Sequence, residues 1–272
     1  MQRINLEQTA PEFTVITVVY NNEKFIRQTI ESVLAQKDVS LEYIIVDGNS
    51  TDGTLDIIRE YVGKIDKVIS EKDKGIYDAM NKGIINSTGK WLIFMNSGDL
   101  FFSNDTLSRI TEVINENFDI IYGSFCAEEP HIKKLVKFEA GTPSGLLNGM
   151  IMNHQACIIK AKYHQENLYD LSYKVVADYD FMLGAYQNKA SFLRINHILA
   201  NIATGGVSDG NRTNTFREMK KVKLYRRLSS TTVIKSYLRN IAYANTIKAI
   251  KLILPKSLFT RLIEFKYKRN II

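Results

Sequence analysis

Apolar runs alternate with amphipathic stretches along the first hundred residues. Residues 13–20 form a β-branched run that ends at two asparagines, and the apolar positions after it are spaced as on one face of a helix. The same unit repeats over 43–62 and again over 68–86, and a fourth apolar run occupies 91–95. This alternation predicts right-handed crossovers and an α/β fold, with an open, mostly parallel sheet and flanking helices.

Beyond residue 99 the alternation weakens. The pattern predicts a helix over 107–115 and a short strand at 120–122, followed by mixed strand and loop to residue 160. A further helix is predicted to begin at Ala177, with a strand after it at 192–195. The second half of the chain is therefore expected to add less regular structure to the same sheet.

The C-terminal part of the chain differs in charge. Residues 211–272 contain 16 Lys and Arg and 2 acids, whereas the overall formal charge of the 272 residues is only +7. A basic helical extension beside an acidic body predicts an anionic partner. No nucleic-acid-binding signature accompanies these charges, so we do not expect nucleic acid to be that partner.

Two apolar stripes occur in this extension before Pro255, rotated by about half a turn from each other on a helix. Charged residues interrupt every apolar stretch, so none reaches the roughly 18 residues of a transmembrane helix. We expect one stripe to pack on the body and the other to lie on an anionic membrane surface; a solvated hairpin packed on its own domain is the alternative. The stripes are Ile234, Tyr237, Leu238 and Ile241, and then Tyr243, Ile247, Ile250 and Leu254.

Cysteine content and the N-terminus bear on the compartment. Cys126 and Cys157 are too few for a disulfide framework, and the N-terminus lacks the charged-then-apolar pattern of a secretory signal. We therefore expect a cytoplasmic protein, peripheral at the inner face of the membrane.

Three acidic residues lie where the predicted sheet would bring them together. Asp47 ends the second apolar run, Asp78 lies at the start of the third helix, and Asp99 closes the loop after the fourth run. Because parallel strands deliver their carboxyl ends to one edge of a sheet, these carboxylates should converge on one crevice. Convergent charge suits a diphosphate with a metal ion, which points to a nucleotide-sugar enzyme.

Five segments of the chain, at 17–22, 46–54, 75–83, 96–99 and 177–180, occur in this order along the sequence. In these segments the chain resembles family 2 glycosyltransferases, which have the GT-A fold. The resemblance is closest to bacterial enzymes of capsule, O-antigen or exopolysaccharide assembly. It implies an inverting transferase that moves a sugar from a nucleoside diphosphate to a hydroxyl of a lipid-linked glycan. It also implies a GT-A domain over 1–210, with a nucleotide-binding half at 13–99 and an acceptor half at 100–210, followed by the extension at 211–272.

The resemblance implies a donor site at the first three segments. Asp47 would accept the N–H of a base, which favours a UDP sugar, and Tyr20 would cover that base. Asp78 would reach ribose or sugar hydroxyls, and Lys82 would neutralise phosphate. Two further residues of the first segment, Thr17 and Asn22, are expected to contact the donor as well.

The metal site is expected at Asp99. Mg²⁺ or Mn²⁺ takes one or two protein carboxylates together with diphosphate oxygens. Gly98 stands where the family usually has a second acid, which leaves one certain carboxylate. Asn96 is expected to position water or a sugar hydroxyl nearby.

The catalytic base implied by the resemblance is Asp178. It would accept the proton of the acceptor hydroxyl as that oxygen attacks the anomeric carbon. Asp180 is the competing assignment, since on a helix the two side chains point about 200° apart. His154 is expected on the acceptor side, and Arg212 is expected to approach the diphosphate.

Two other functions stay open at this point. A sugar-phosphate nucleotidyltransferase shares the chemistry, but its glycine- and lysine-rich first loop is absent after Val19. A catalytically idle GT-A subunit of a membrane assembly is the second alternative, suggested by Gly98.

Overall fold

The computed structural model of the chain describes residues 10–204 and 212–272; the side chain of Arg212 lies outside what it describes. Its strands are β1 Phe13–Val19, β2 Leu41–Asp47, β3 Lys67–Ser70, β4 Trp91–Phe94, β5 Leu100–Phe101, β6 Ile120–Glu129, β7 Lys134–Phe138, β8 Cys157–Lys160 and β9 Phe192–Ile202. Its helices are α1 Ile26–Leu34, α2 Thr54–Arg59, α3 Ile76–Asn86, α4 Thr106–Thr111, α5 Ala161–Glu166, α6 Ala177–Gln187, α7 Arg212–Tyr225, α8 Ser230–Ile253 and α9 Lys256–Tyr267.

One mixed sheet organises these elements in the order β3-β2-β1-β4-β8-β6-β9-β5, with β7 paired to β6. The strands β1 to β4 are mutually parallel, as the alternation predicts. Val19 is in register with Asp47, and Asp47 with Ser70, so these strands end together. The fold therefore places the loops after β1, β2, β3 and β4 at one edge of the sheet.

Burial on both faces explains the apolar runs of this first half. Every residue of β1 is buried, and the helices that cover the sheet each turn their apolar side inward. Gly83 allows α3 to pack closely on β1, because a Cβ at this position would overlap the Ile16 side chain. Helix α3 thus lies against the sheet with its first turn at the carboxyl edge.

The second half departs from simple alternation. Strand β8 runs antiparallel to both β4 and β6, while β9 is parallel to β6. The predicted strands at 120–122 and 192–195 are the starts of much longer strands, β6 and β9. The apolar pattern predicted neither β5 nor α5, and it gave the region of β7 and β8 only as mixed strand and loop. All four elements are short, and two to six residues carry too little periodicity to be recognised.

The basic extension is three helices fastened to the body at both ends. Arg226, just after α7, pairs with Asp180 of α6, and Glu218 accepts backbone N–H groups of Lys174 and Val175. At the other end the Ile272 N–H donates to the Leu135 carbonyl of β7 at 3.0 Å. In the described part of the chain, no helix has both the length and the apolar character needed to cross a bilayer.

Candidate active site

The loops after β1 and β2 hold each other at the carboxyl edge. The Asn21 N–H donates to Ser50 Oγ at 2.8 Å, and the Thr51 N–H donates to Asn21 Oδ1 at 2.8 Å. Asn21 adopts φ +48°, a region that asparagine tolerates better than most residues. The neighbouring Asn22 N–H donates to Thr54 Oγ1 at 2.9 Å. These bonds fix the entrance of the crevice.

Asp47 lies beneath this loop pair and has no exposed surface. Its carboxylate accepts hydrogen bonds from the N–H groups of Asn49 and Ser50, and from Ser70 Oγ at 2.7 Å. A carboxylate that is enclosed by its own turn organises the loop. The contact of Asp47 with the base stays a prediction.

Asp73 occupies the space that an acidic side chain at position 48 would fill. A Cβ at Gly48 would collide with Asp73 Oδ2 and would lie 3.3 Å from the ring of Tyr20. Asp73 Oδ1 accepts the Gly75 N–H at 2.8 Å, which aims Oδ2 across Gly48. Tyr20 is 62% exposed. Gly48 therefore forms the floor between an exposed aromatic ring and a carboxylate.

The first turn of α3 carries the next charged group. Asp78 Oδ2 accepts the Lys74 N–H at 3.0 Å and lies 3.7 Å from Lys82 Nζ. Lys82 Nζ is closer to Glu71, at 2.8 Å, and this bond raises the pKa of Lys82. Both predicted residues thus lie at the carboxyl edge, where they tie the loop before α3 to the helix.

The segment after β4 continues along β1 and then turns sharply. Asn22 Nδ2 donates to Ser97 Oγ at 2.9 Å, which joins the first loop to this one. Gly98 has φ +107°, and a Cβ added to it would lie only 3.2 Å from the Ala203 Cβ. An acidic residue at this position would therefore be strained. Asn96 Oδ1 is buried and accepts no hydrogen bond from any residue that the structure describes.

Asp99 follows this turn and is nearly enclosed. Its Oδ2 accepts from Gln155 Nε2 at 2.8 Å, and its Oδ1 accepts from the Ala203 N–H at 2.8 Å. Burial raises the pKa of Asp99 to about 6, despite these two hydrogen bonds. A carboxylate held in this way gains from any cation that binds beside it.

Asp178 and Asp180 separate clearly on the first turn of α6. Asp178 Oδ1 accepts the Tyr77 hydroxyl of α3 at 2.9 Å, and burial raises the pKa of Asp178. Asp180 is engaged by Arg226 through two hydrogen bonds of 2.8 and 2.7 Å. Of the two competing residues, Asp180 fastens the extension, and Asp178 points to the carboxyl edge beside Tyr77.

His154 belongs to a buried aromatic cluster. Its Nε2 is 2.5 Å from the Tyr169 hydroxyl, and its ring centroid is 4.7 Å from that of Phe94. Burial lowers the pKa of His154 to about 3, so the ring is neutral near pH 7. This placement makes His154 a support beneath the site, and its neighbour Gln155 is the residue that reaches Asp99.

Two more residues were predicted to bind the donor, Thr17 and Arg212. Thr17 is fully buried; its hydroxyl donates to the Met95 carbonyl at 2.7 Å and lies 3.0 Å from the Tyr43 hydroxyl. Its side chain therefore links strands in the core instead of facing a substrate. Arg212 begins α7, but its side chain and residues 205–211 lie outside the described part of the chain.

The family profile described as "Glycosyl transferase family 2" matches residues 14–167, more than half of the chain. The chain belongs to glycosyl transferase family 2. This glycosyltransferase is 29% identical over 201 residues to a "PGL/p-HBAD biosynthesis glycosyltransferase" of Mycobacterium bovis, covering 70% of this chain and 75% of that one. It is 33% identical over 135 residues to an uncharacterized glycosyltransferase of Rickettsia bellii, covering 48% of this chain and 19% of that one.

Solved structures agree on the GT-A fold of this glycosyltransferase. S. aureus TarS 1–349 in complex with UDP-GlcNAc superposes with a TM-score of 0.63 at 19% identity, covering 90% of this chain and 76% of that one. Mannosyltransferase PcManGT from Pyrobaculum calidifontis, in complex with GDP-Man and Mn²⁺, gives a TM-score of 0.63 at 16% identity, covering 93% and 84%. The chain spans 43% of the longer S. aureus TarS chain.

The residues after β4 of this glycosyltransferase fit a divalent metal. Carboxylate and amide oxygens are ligands that Mg²⁺ and Mn²⁺ accept, and Asp99 and the buried, unbonded Asn96 Oδ1 lie on one four-residue turn. Within 10–204 and 212–272, no cluster of three or more His, Cys, Asp or Glu could hold a metal by itself. A metal ion bound at this turn would therefore need further ligands from outside these two side chains.

Proposed function

We propose that this glycosyltransferase works with inversion, moving a sugar from a UDP donor to a hydroxyl of a lipid-linked glycan in cell-surface polysaccharide or glycolipid assembly. Two similar proteins support this proposal: S. aureus TarS 1–349 has structures with UDP and with UDP-GlcNAc, and the Mycobacterium bovis relative is a PGL/p-HBAD biosynthesis glycosyltransferase. The donor crevice is the carboxyl edge of β1 to β4, and the acceptor approaches from α6.

One observation carries the proposal: Asp178 and Asp99 flank the same turn. Gln155 of that turn donates to Asp99 at 2.8 Å. Cys157 directly follows the turn, and burial raises the pKa of its thiol, with a smaller contribution from the charge of Asp178. A base and a metal-binding carboxylate on either side of one short segment suit an acceptor hydroxyl and a diphosphate leaving group.

The transfer is a single displacement. The acceptor oxygen forms a bond to the anomeric carbon while the bond from that carbon to the diphosphate oxygen breaks, and the leaving group keeps the electron pair. Asp178 takes the acceptor proton, which is possible because the hydroxyl becomes acidic only in the transition state. The Tyr77 hydroxyl holds Asp178 Oδ1 in place, and burial beside that charge keeps the pKa of Tyr77 well above its ordinary value.

The remaining residues bind and orient. We propose that Asp99, with Asn96, holds Mn²⁺ or Mg²⁺. Such an ion offsets the negative charge of the leaving nucleoside diphosphate. We propose that Asp78 and Lys82, which are 3.7 Å apart at the carboxyl edge, contact the donor's ribose or phosphate. Asn22 keeps the first loop joined to Ser97. Arg212 stays a proposal for the diphosphate on sequence grounds alone.

Base recognition is proposed at Asp73, with Tyr20 stacked on the base. The carboxylate has one oxygen held by the Gly75 N–H and the other beside the floor at Gly48. Uracil has an imide N–H that a carboxylate can accept, and guanine has two N–H groups on the corresponding edge. Asp47, fully enclosed, shapes the loop from beneath.

The experiment that tests the function is a calorimetric screen of UDP, GDP and dTDP with and without Mn²⁺, followed by turnover of the matching sugar nucleotide. We expect UDP to bind most tightly, and to bind more tightly with Mn²⁺. Slow hydrolysis of the sugar nucleotide by purified protein excludes the idle-subunit alternative. Formation of a sugar nucleotide from sugar phosphate and nucleoside triphosphate would instead identify a nucleotidyltransferase.

Asp73→Asn should weaken UDP binding roughly tenfold or more, because a hydrogen bond to a charged group is worth about 1.5–3 kcal/mol. The variant keeps the oxygen that accepts the Gly75 N–H, so the loop should retain its shape. Calorimetric Kd values for UDP measure the effect. Gly48→Ala offers a second route to the same loss, because the added methyl group would displace Asp73.

Asp56→Asn is the matched control for this prediction. It removes one negative charge from α2, where the exposed Asp56 pairs with Arg59 and contacts none of the proposed donor-binding residues. We expect its Kd for UDP to change by less than about twofold, because an exposed pair contributes little. Equal weakening in both variants would attribute the effect to net charge and remove Asp73 from base recognition.

A further inference from the structure

Helix α9 has two different apolar faces. Its inner face includes Phe259, which is buried with its ring edge against His131, and Tyr267, whose ring packs on Phe138 of β7. Its outer face consists of Leu258, Leu262 and Phe265, which lie within about 60° of one another on the helix. These three side chains are 45%, 49% and 79% exposed. The inner face accounts for the attachment of α9, and the outer face has no such role in the fold.

The exposed apolar surface continues around the tip of the hairpin formed by α8 and α9. Leu252 and Ile253, at the end of α8, are 86% and 79% exposed. Helix α8 ends at Ile253 and α9 begins at Lys256, so the tip and the outer face are joined by a short turn at Pro255. Large apolar side chains gathered in this way on a surface indicate an interaction site.

Basic side chains border this surface. Residues 230–272 contain nine Lys and Arg and a single acid, Glu264, which pairs with Lys134. At 100° per residue, Arg261 and Lys268 lie along one side of the outer face and Lys266 along the other. An apolar stripe with basic flanks is the pattern of a helix that lies in the headgroup region of a membrane.

The hairpin is held firmly enough to present this surface. Arg226, before α8, is bonded twice to the buried Asp180, and the chain after α9 pairs with β7 through the Lys137 N–H and the Asn270 carbonyl at 2.8 Å. Val233 of α8 is buried as well. The outer face and the tip are thus displayed from a frame fixed to the catalytic body at both ends.

We propose that the α8–α9 hairpin docks this glycosyltransferase on an anionic lipid bilayer, with the tip and the outer face of α9 in the boundary between headgroups and acyl chains. The charge of the surface favours this occupant over a second copy of the chain. Two hairpins, each with eight excess positive charges over residues 230–272, would repel each other, whereas anionic headgroups attract them. The inference concerns binding and is independent of the proposed donor and mechanism.

Vesicle flotation tests the docking surface directly, with the full chain and no sugar nucleotide. We expect binding to vesicles of phosphatidylcholine with phosphatidylglycerol, much weaker binding to phosphatidylcholine alone, and loss of binding at high salt. Phe265→Glu should reduce partitioning to the anionic vesicles at least about tenfold, because it removes the most exposed ring of the outer face. Its thermal unfolding should match that of the native chain.

Thr232→Glu is the matched control, since it adds the same charge to an exposed position at the start of α8, away from the tip. We expect it to lower partitioning by about twofold or less. Equal losses in the two variants, or no loss in Phe265→Glu, would overturn the proposal. A dimer of the native chain in light scattering that Phe265→Glu dissociates would assign the surface to a second copy instead.

Discussion

Replacing Asp178 with Asn is expected to lower kcat roughly 10²- to 10⁴-fold, the range that a positioned general base contributes. Asparagine has nearly the same shape and can still accept the Tyr77 hydroxyl through its amide oxygen, so the site should keep its geometry. It cannot take the acceptor proton. Donor binding should be almost unchanged, because the carboxylate acts on the acceptor side. Steady-state transfer together with calorimetric UDP binding measures both quantities.

Asp180→Asn is the matched control, two residues along the same helix turn. Asp180 is bonded to Arg226 and only 5% exposed, so its substitution should cost stability, on the order of 3 kcal/mol. Its kcat should fall far less than that of Asp178→Asn once the protein is assayed below its unfolding temperature. If Asp180→Asn loses turnover and Asp178→Asn retains it, the assignment of the base is reversed.

The nucleotide half of the fold was predictable because parallel strands that are buried on both faces leave continuous apolar runs. The third predicted unit ends at residue 86, which is where α3 ends, and β1 and β4 each end one residue before the predicted apolar run does. The acceptor half was not predictable to this degree. Strand β5 has two residues and β8 has four, and both form only through pairing with strands distant in sequence.

The residues of the candidate site also differ in how far the sequence predicts them. Asp99 and Asp178 could be proposed from motifs because Asp99 lies soon after a recognisable strand and Asp178 lies at the start of a recognisable helix. Gln155 and Tyr77 could not, because their roles depend on contacts 56 and 101 residues away in sequence. For Asp73 the sequence shows only that a glycine, Gly48, follows Asp47 in the loop after β2. Only the structure shows that the space above Gly48 is filled by a carboxylate from another loop.

Asp99→Asn should remove most of the effect of Mn²⁺ on UDP binding, so that the Kd with the metal rises at least about a hundredfold toward the Kd without it. A neutral amide is a poor partner for a hard dication, and no cluster of three or more His, Cys, Asp or Glu in the described residues offers a substitute site. Asparagine can still accept the Ala203 N–H, so the loop should remain in place. Asp105→Asn, at an exposed carboxylate that pairs with Arg109, is the control and should leave the response to Mn²⁺ intact.

The raised pKa of Asp99 gives this prediction two further readouts. Because the pKa is about 6 in the folded protein and about 3.9 in an unfolded chain, the ionised carboxylate destabilises the fold above pH 6 and the protonated form does not. Asp99→Asn should therefore unfold at the same or a higher temperature than the native chain at pH 7.5.

In the native chain, protons should compete with Mn²⁺, so that metal-dependent UDP binding weakens below about pH 6, whereas Asp99→Asn should show no such dependence. A variant that loses both Mn²⁺ response and thermal stability would indicate misfolding, and one that keeps the native response would place the metal elsewhere.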